Sequence, residues 1–127
     1  MTQTPKAYSH INLTYLTEIA DGDEQFIEET IRTYLQTIPS ELNQLSSSIR
    51  NENWEQTAFH AHTLKGAFNF VGATSLAALC GHIEEVCNSQ TVDIQLQQIL
   101  TEVVSESIGV SDDLKAALLT MHNSIVV

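Results

Sequence analysis

The chain has 127 residues, 43% of them hydrophobic, with little aromatic content, only two prolines and five glycines. That is enough for one soluble domain with a real core, and the scarcity of breaks argues against the strand, glycine turn and helix rhythm of an α/β enzyme. A formal charge of −11, with five Lys or Arg in total, leaves no basic patch for a phosphate backbone and excludes nucleic acid as a natural partner.

No apolar run approaches the roughly 20 residues that span a bilayer, and residues 1–6 lack the apolar segment of a secretory signal, so the expected location is the cytoplasm, with no membrane contact. Asn12 can cap a short helix over 13–20, whose Leu13, Leu16 and Ile19 would lie against a larger body as a lid. Asp21-Gly22-Asp23 breaks the chain and caps the next helix, with Glu24, Glu28 and Glu29 near its positive end. From there Ile27, Ile31, Tyr34, Ile38, Leu42, Leu45 and Ile49 recur every three or four residues to about Arg50. Pro39 falls inside this pattern and predicts a kink near 36–39 rather than two helices.

Asn51-Glu52-Asn53 makes the next turn, Asn53 caps a helix over about 54–71, and Gly72 ends it. A fourth helix begins at Ala73 or Thr74 and runs to about Cys87; Asn88-Ser89-Gln90 is the connection, with Thr91 as cap. The last pattern, Leu96, Ile99, Val103, Val110, Leu114, Ala117 and Met121, is expected to bend at Gly109, where Ser111-Asp112-Asp113 could recap it. The apolar end Ile125-Val126-Val127 has no assigned role. Four long helices with short turns predict an all-α fold: an antiparallel up-down four-helix bundle with a short extra N-terminal helix, as one domain over 1–127 with its core at about 11–122.

Cys80 and Cys87 lie seven residues apart in one predicted helix, about 10 Å along its axis, beyond the limit of about 7 Å for a disulfide. They continue the apolar series Leu76, Leu79, Ile83 and Val86 and read as reduced core thiols.

The chemistry concentrates in Ala61-His62-Thr63-Leu64-Lys65-Gly66. At helical spacing His62, Lys65, Gly66 and Asn69 share an outward stripe, while Ala61, Leu64, Phe68 and Val71 share an inward one. Neutral imidazole is a good nucleophile near pH 7, because its pKa of about 6.5 leaves a ring nitrogen free. Lys65, one turn on, can offset the charge of a phosphoryl group taken up there, and Gly66 leaves bare backbone for in-line approach.

These residues, with Gly72-Ala73 and then Leu76-Ala77-Ala78-Leu79-Cys80, resemble the histidine-containing phosphotransfer (HPt) domain family, over about residues 11–122. The resemblance implies a carrier in a two-component phosphorelay: His62 accepts a phosphoryl group from a receiver-domain aspartyl phosphate and passes it to another receiver aspartate. By the same likeness Lys65 steadies the phosphate and Gly66 keeps the surface clear. Where family members often have small or hydroxyl residues after the Lys-Gly pair, this chain has Ala67 and Phe68. Glu84, 22 residues past His62, resembles the carboxylate that orients the imidazole in phosphotransfer domains of chemotaxis kinases. A solvated glutamate beside Glu85 is the competing reading. Gln36 and Thr37 lie where the family's preceding helix passes the histidine, and either could bond it.

Phe59 and Phe70 read as core residues, or else as an apolar collar around His62 for a docking receiver. His60, about 160° around the helix from His62, reads as structural or surface. His10, His82 and His122 show no carboxylate or cysteine constellation in the sequence, and His82 with Glu85 is too little for a metal site. The chain has no Gly-rich nucleotide loop and no Walker-like Gly-Lys-Ser. It is therefore expected to carry phosphate rather than act as an enzyme, as a monomer without an ATP, metal or other cofactor site. Mg²⁺ would come from the receiver, and the partners would be response-regulator receiver domains, a hybrid sensor histidine kinase, or both. A non-catalytic helical-bundle binding or regulatory module is the alternative. A domain from a larger hybrid kinase is a third reading, although Met1 favours a small complete protein.

Overall fold

The computed structural model of the chain describes residues 8–125, with side chains through residue 121. Residues 1–6, the side chain of His122 and the packing of Ile125-Val126-Val127 lie outside the described residues. Among the described residues five helices follow in order: α1 (Thr14–Ala20), α2 (Glu24–Arg50), α3 (Trp54–Phe70), α4 (Thr74–Asn88) and α5 (Gln95–Ile125). No strand occurs among the described residues, and no helix there is long and apolar enough to cross a membrane.

Short turns force α2 to α5 to run up and down as neighbours. Helix α3 packs most extensively on α4 and then on α2, while α5 closes the ring against α2 and α4; α1 rides on α2. Each long helix turns its apolar stripe inward: Ile31, Ile38 and Leu45 from α2, Ala61, Leu64 and Phe68 from α3, Cys80 and Ile83 from α4, and Val103, Val110 and Leu114 from α5 are all sealed from water. Leu16 plugs α1 onto this core.

The caps follow the local chemistry. Asp23 Oδ1 accepts the Phe26 N–H at 3.0 Å, and Asn53 Oδ1 accepts the Gln56 N–H at 3.2 Å. Helix α2 runs as one element through Pro39, whose ring is exposed. At the α2–α3 turn the buried Thr57 hydroxyl donates to Ser48 Oγ at 2.9 Å, so the two helix ends are joined inside the core with their polar groups satisfied.

Three expectations need correction. Helix α1 starts at Thr14, and Leu13 rather than Asn12 takes the cap position. The Asn12 N–H is committed to Val71 O at 2.9 Å beside Gly72, so its side chain, which accepts from the Thr14 N–H at 3.0 Å, stands one residue too early. Thr91 does not cap α5: the helix begins at Gln95, where Asp93 Oδ1 accepts the Gln95 N–H at 2.9 Å. Nor does α5 restart at 111–113. It is one helix through Gly109, whose missing Cβ admits the ring of His10; a Cβ there would meet that ring at 2.5 Å. Asp113, instead of capping, accepts the His10 N–H at 2.8 Å and lies 3.3 Å from His10 Nδ1. His10 thus has the carboxylate partner that the sequence did not reveal.

Candidate functional site

The site is built on α3, where the bundle determines which side of the helix meets water. Ala61, Leu64, Ala67, Phe68 and Val71 are buried, and this inward stripe orients the opposite one: His62, Gly66 and Asn69 are exposed. The His62 side chain is 66% accessible. Ala67 and Phe68 are committed to the core, so no hydroxyl stands after Lys65-Gly66.

Helix α4, packed alongside, contributes Glu84. Its Oε2 lies 2.8 Å from His62 Nδ1 and its Oε1 accepts from Lys65 Nζ at 2.8 Å, so one carboxylate holds both groups. Glu84 is largely shielded from solvent, and its pKa is lowered, first by the hydrogen bond from Lys65 and then by the hydrogen bond and charge of His62, against the opposing effect of burial. A carboxylate held ionised can only accept, so Nδ1 carries the proton and, in the neutral ring, Nε2 keeps its lone pair. The reading of Glu84 as a solvated residue of the helix face is not what the geometry supports. Glu85 beside it is exposed.

At Gly66 nothing lies within 4 Å of where a Cβ would stand. The chain's own packing therefore makes no demand for glycine there, although a helix-interior glycine costs about 1 kcal/mol relative to alanine.

The other candidates separate. No hydrogen bond joins His62 to Gln36 or Thr37. Phe70 is half-buried in an aromatic cluster with Tyr15 at 5.5 Å and Tyr34 at 5.8 Å between ring centroids, as a packing residue would be. Phe59 is 61% exposed and does not join the core; its ring meets that of His60 edge-on at 5.2 Å. His60 turns the other way from His62, and its Nδ1 lies 2.7 Å from Glu41 Oε2, linking α3 to α2. Spacing gave no hint of this pair, because Glu41 lies 19 residues back on another helix. His82 and Glu85 are both exposed and form no ion pair with each other. Cys80 and Cys87 are free and buried; burial pushes the Cys80 thiol up to about 12 and raises that of Cys87, which suppresses the thiolate.

Comparison with known proteins identifies the family and the fold. The model of the Hpt domain family matches residues 29–123, well over half of the chain. The phosphorelay intermediate protein rdeA of Dictyostelium discoideum is 22% identical over 78 residues; the match covers 61% of this chain and 31% of that protein, less than a third of its length. Among solved structures, the HPt domain of a sensor hybrid histidine kinase from Shewanella superposes with a TM-score of 0.75 at 20% identity, covering 87% of this chain and 95% of that one, which establishes the shared fold. With a solvent-facing histidine on the third helix of such a bundle, the chain belongs to the Hpt domain family, the histidine phosphotransfer carriers of two-component signalling.

Proposed function

We propose that His62 is the phospho-acceptor and that the chain relays a phosphoryl group between receiver-domain aspartates. The observation that carries this reading is the Glu84 carboxylate at His62 Nδ1, which leaves Nε2 as the free nucleophile in solvent beside an ammonium group. In the forward step the Nε2 lone pair attacks phosphorus, the bond from phosphorus to the aspartyl oxygen breaks, and the receiver's carboxylate leaves with the electron pair. No proton needs to move: Nδ1 keeps its hydrogen, and the ring's new positive charge faces Glu84. The return step is the reverse, with a second receiver's aspartate as nucleophile.

Lys65 supplies charge for the phosphoryl oxygens and Gly66 keeps the approach clear, which supports a reason for that glycine outside the chain's own packing. Exposed Phe59, three residues before His62, serves as apolar docking surface for the receiver. The chain works as a cytoplasmic, monomeric carrier formed by a single domain, without a nucleotide, metal or other cofactor of its own. Mg²⁺ and the acidic pocket for activating the phosphate belong to the receiver, and a hybrid sensor histidine kinase is a natural upstream donor.

The test is incubation with a receiver domain charged by acetyl phosphate and Mg²⁺. Label that is acid-labile and alkali-stable on the wild-type chain, and absent from His62→Gln at unchanged helical content, supports the relay. Label retained by His62→Gln moves the acceptor elsewhere. No label from any receiver favours a non-catalytic binding module.

A further inference from the structure

Gly81 sits in the interior of α4, one turn before Glu84, and none of the usual reasons for a glycine applies. Its φ is not in the left-handed region, it makes no turn, and no backbone of a neighbouring helix lies within 4 Å of where its Cβ would be. A Cβ there would meet one thing: Cδ of Lys65, at 3.3 Å, tighter than ordinary van der Waals contact. Glycine is also the poorest helix former after proline, so local preference does not favour it at this position.

We propose that Gly81 is a positioning residue that seats the aliphatic stem of Lys65 and so sets its ammonium group beside His62. Lysine has four rotatable side-chain bonds and, left free, would spread its charge over a wide arc of surface. Here the stem lies against the bare backbone of α4, and Nζ ends on Glu84 Oε1, the partner of the oxygen that meets the imidazole. Glu84 anchors the tip, Gly81 seats the shaft, and the ammonium waits within one carboxylate's span of the ring. A side chain at 81 would lift the stem and swing the tip away. The groove beyond, lined by Lys65, Glu84, Glu85, Asn88 and Ser89, has room for such a side chain, so the loss would fall on Lys65 rather than on the fold.

The inference rests on the reading of His62 as acceptor and is tested so that the two can fail separately. Gly81→Ala and Gly81→Leu are made with Lys65 intact and with Lys65→Ala, and phosphoryl uptake from an acetyl-phosphate-charged receiver is followed by rapid quench. With Lys65 intact the maximal rate is expected to fall about threefold for alanine and about tenfold for leucine, at unchanged half-saturating receiver concentration and with melting temperatures no lower than wild type. On the Lys65→Ala background Gly81→Leu should add nothing. A wild-type rate for Gly81→Leu, or equal slowing without Lys65, overturns the seat. So does a rise in half-saturation alone, which would indicate a clash with the receiver.

The second readout needs no phosphate. The Glu84 carboxyl, followed by carbon NMR, titrates below the ordinary carboxylate range while Lys65 is seated, and should move up in Gly81→Leu. An unmoved titration overturns the seat even if wild type takes up no label, whereas a moved one with no uptake overturns only the reading of His62.

Discussion

His60 and His62 are two residues apart on one helix, and each presents Nδ1 to a glutamate of a neighbouring helix, at 2.7 and 2.8 Å. As isolated pairs they are nearly the same chemistry. Yet the His60 side chain is 12% accessible and that of His62 66%, and Glu84 also binds Lys65, whereas Glu41 pairs with His60 and, among the described residues, with no lysine or arginine. A rotation of about 160° around α3 places one imidazole in the α2–α3 seam and the other over the α3–α4 seam, facing water. The carboxylate orients either ring; solvent access and the nearby ammonium distinguish His62, and they are what the proposed acceptor role draws on.

The largest expected effect tests that contrast directly. His62→Gln should abolish phosphoryl uptake while His60→Gln keeps it, measured as label transferred from a charged receiver; the opposite pattern would reverse the roles. Next, Glu84→Gln should slow uptake about tenfold to a hundredfold, because a neutral amide can turn its N–H₂ toward Nδ1 and no longer anchors Lys65 as an anion. Glu41→Gln should leave the rate unchanged in the same assay. Stability should reverse the order: His60→Ala is expected to lose about 1–2 kcal/mol in urea unfolding, since it opens a shielded hydrogen bond between helices, against about 0.5 kcal/mol or less for His62→Ala at the surface.

The smallest effect is the acid response of Glu84. Its folded pKa is lowered, chiefly by Lys65, so its contribution to stability is present above the ordinary value of 4.5 and is lost as pH falls through the lowered one. The stability difference between wild type and Glu84→Gln should therefore shrink below that ordinary value and vanish in stronger acid, as read from unfolding curves at a series of pH values. A difference that stays constant through this range would remove the ionised carboxylate as its source.

What the chain could declare by itself is what depends on spacing along one helix. The recurrence of apolar residues every three or four positions marked four long helices and their buried sides, and because Leu64 and Phe68 had to face inward, His62 and Gly66 had to face out. The caps at Asp23 and Asn53 were equally local, each needing only a side-chain oxygen three residues before an orphan N–H. The misplaced details were those that depend on two distant segments at once. Gly109 looked like a break but makes room for His10, Asp113 looked like a cap but holds His10, and Phe59, readable as core or as an exposed collar, stands in solvent. Glu84 could be read either as an orienting group or as a solvated one. Periodicity tells which side of a helix is buried, but not how far that helix is turned and shifted against its neighbour; that is settled jointly by the interlocking side chains of the whole bundle, and only there do Glu84, Lys65 and His62 come within hydrogen-bond reach.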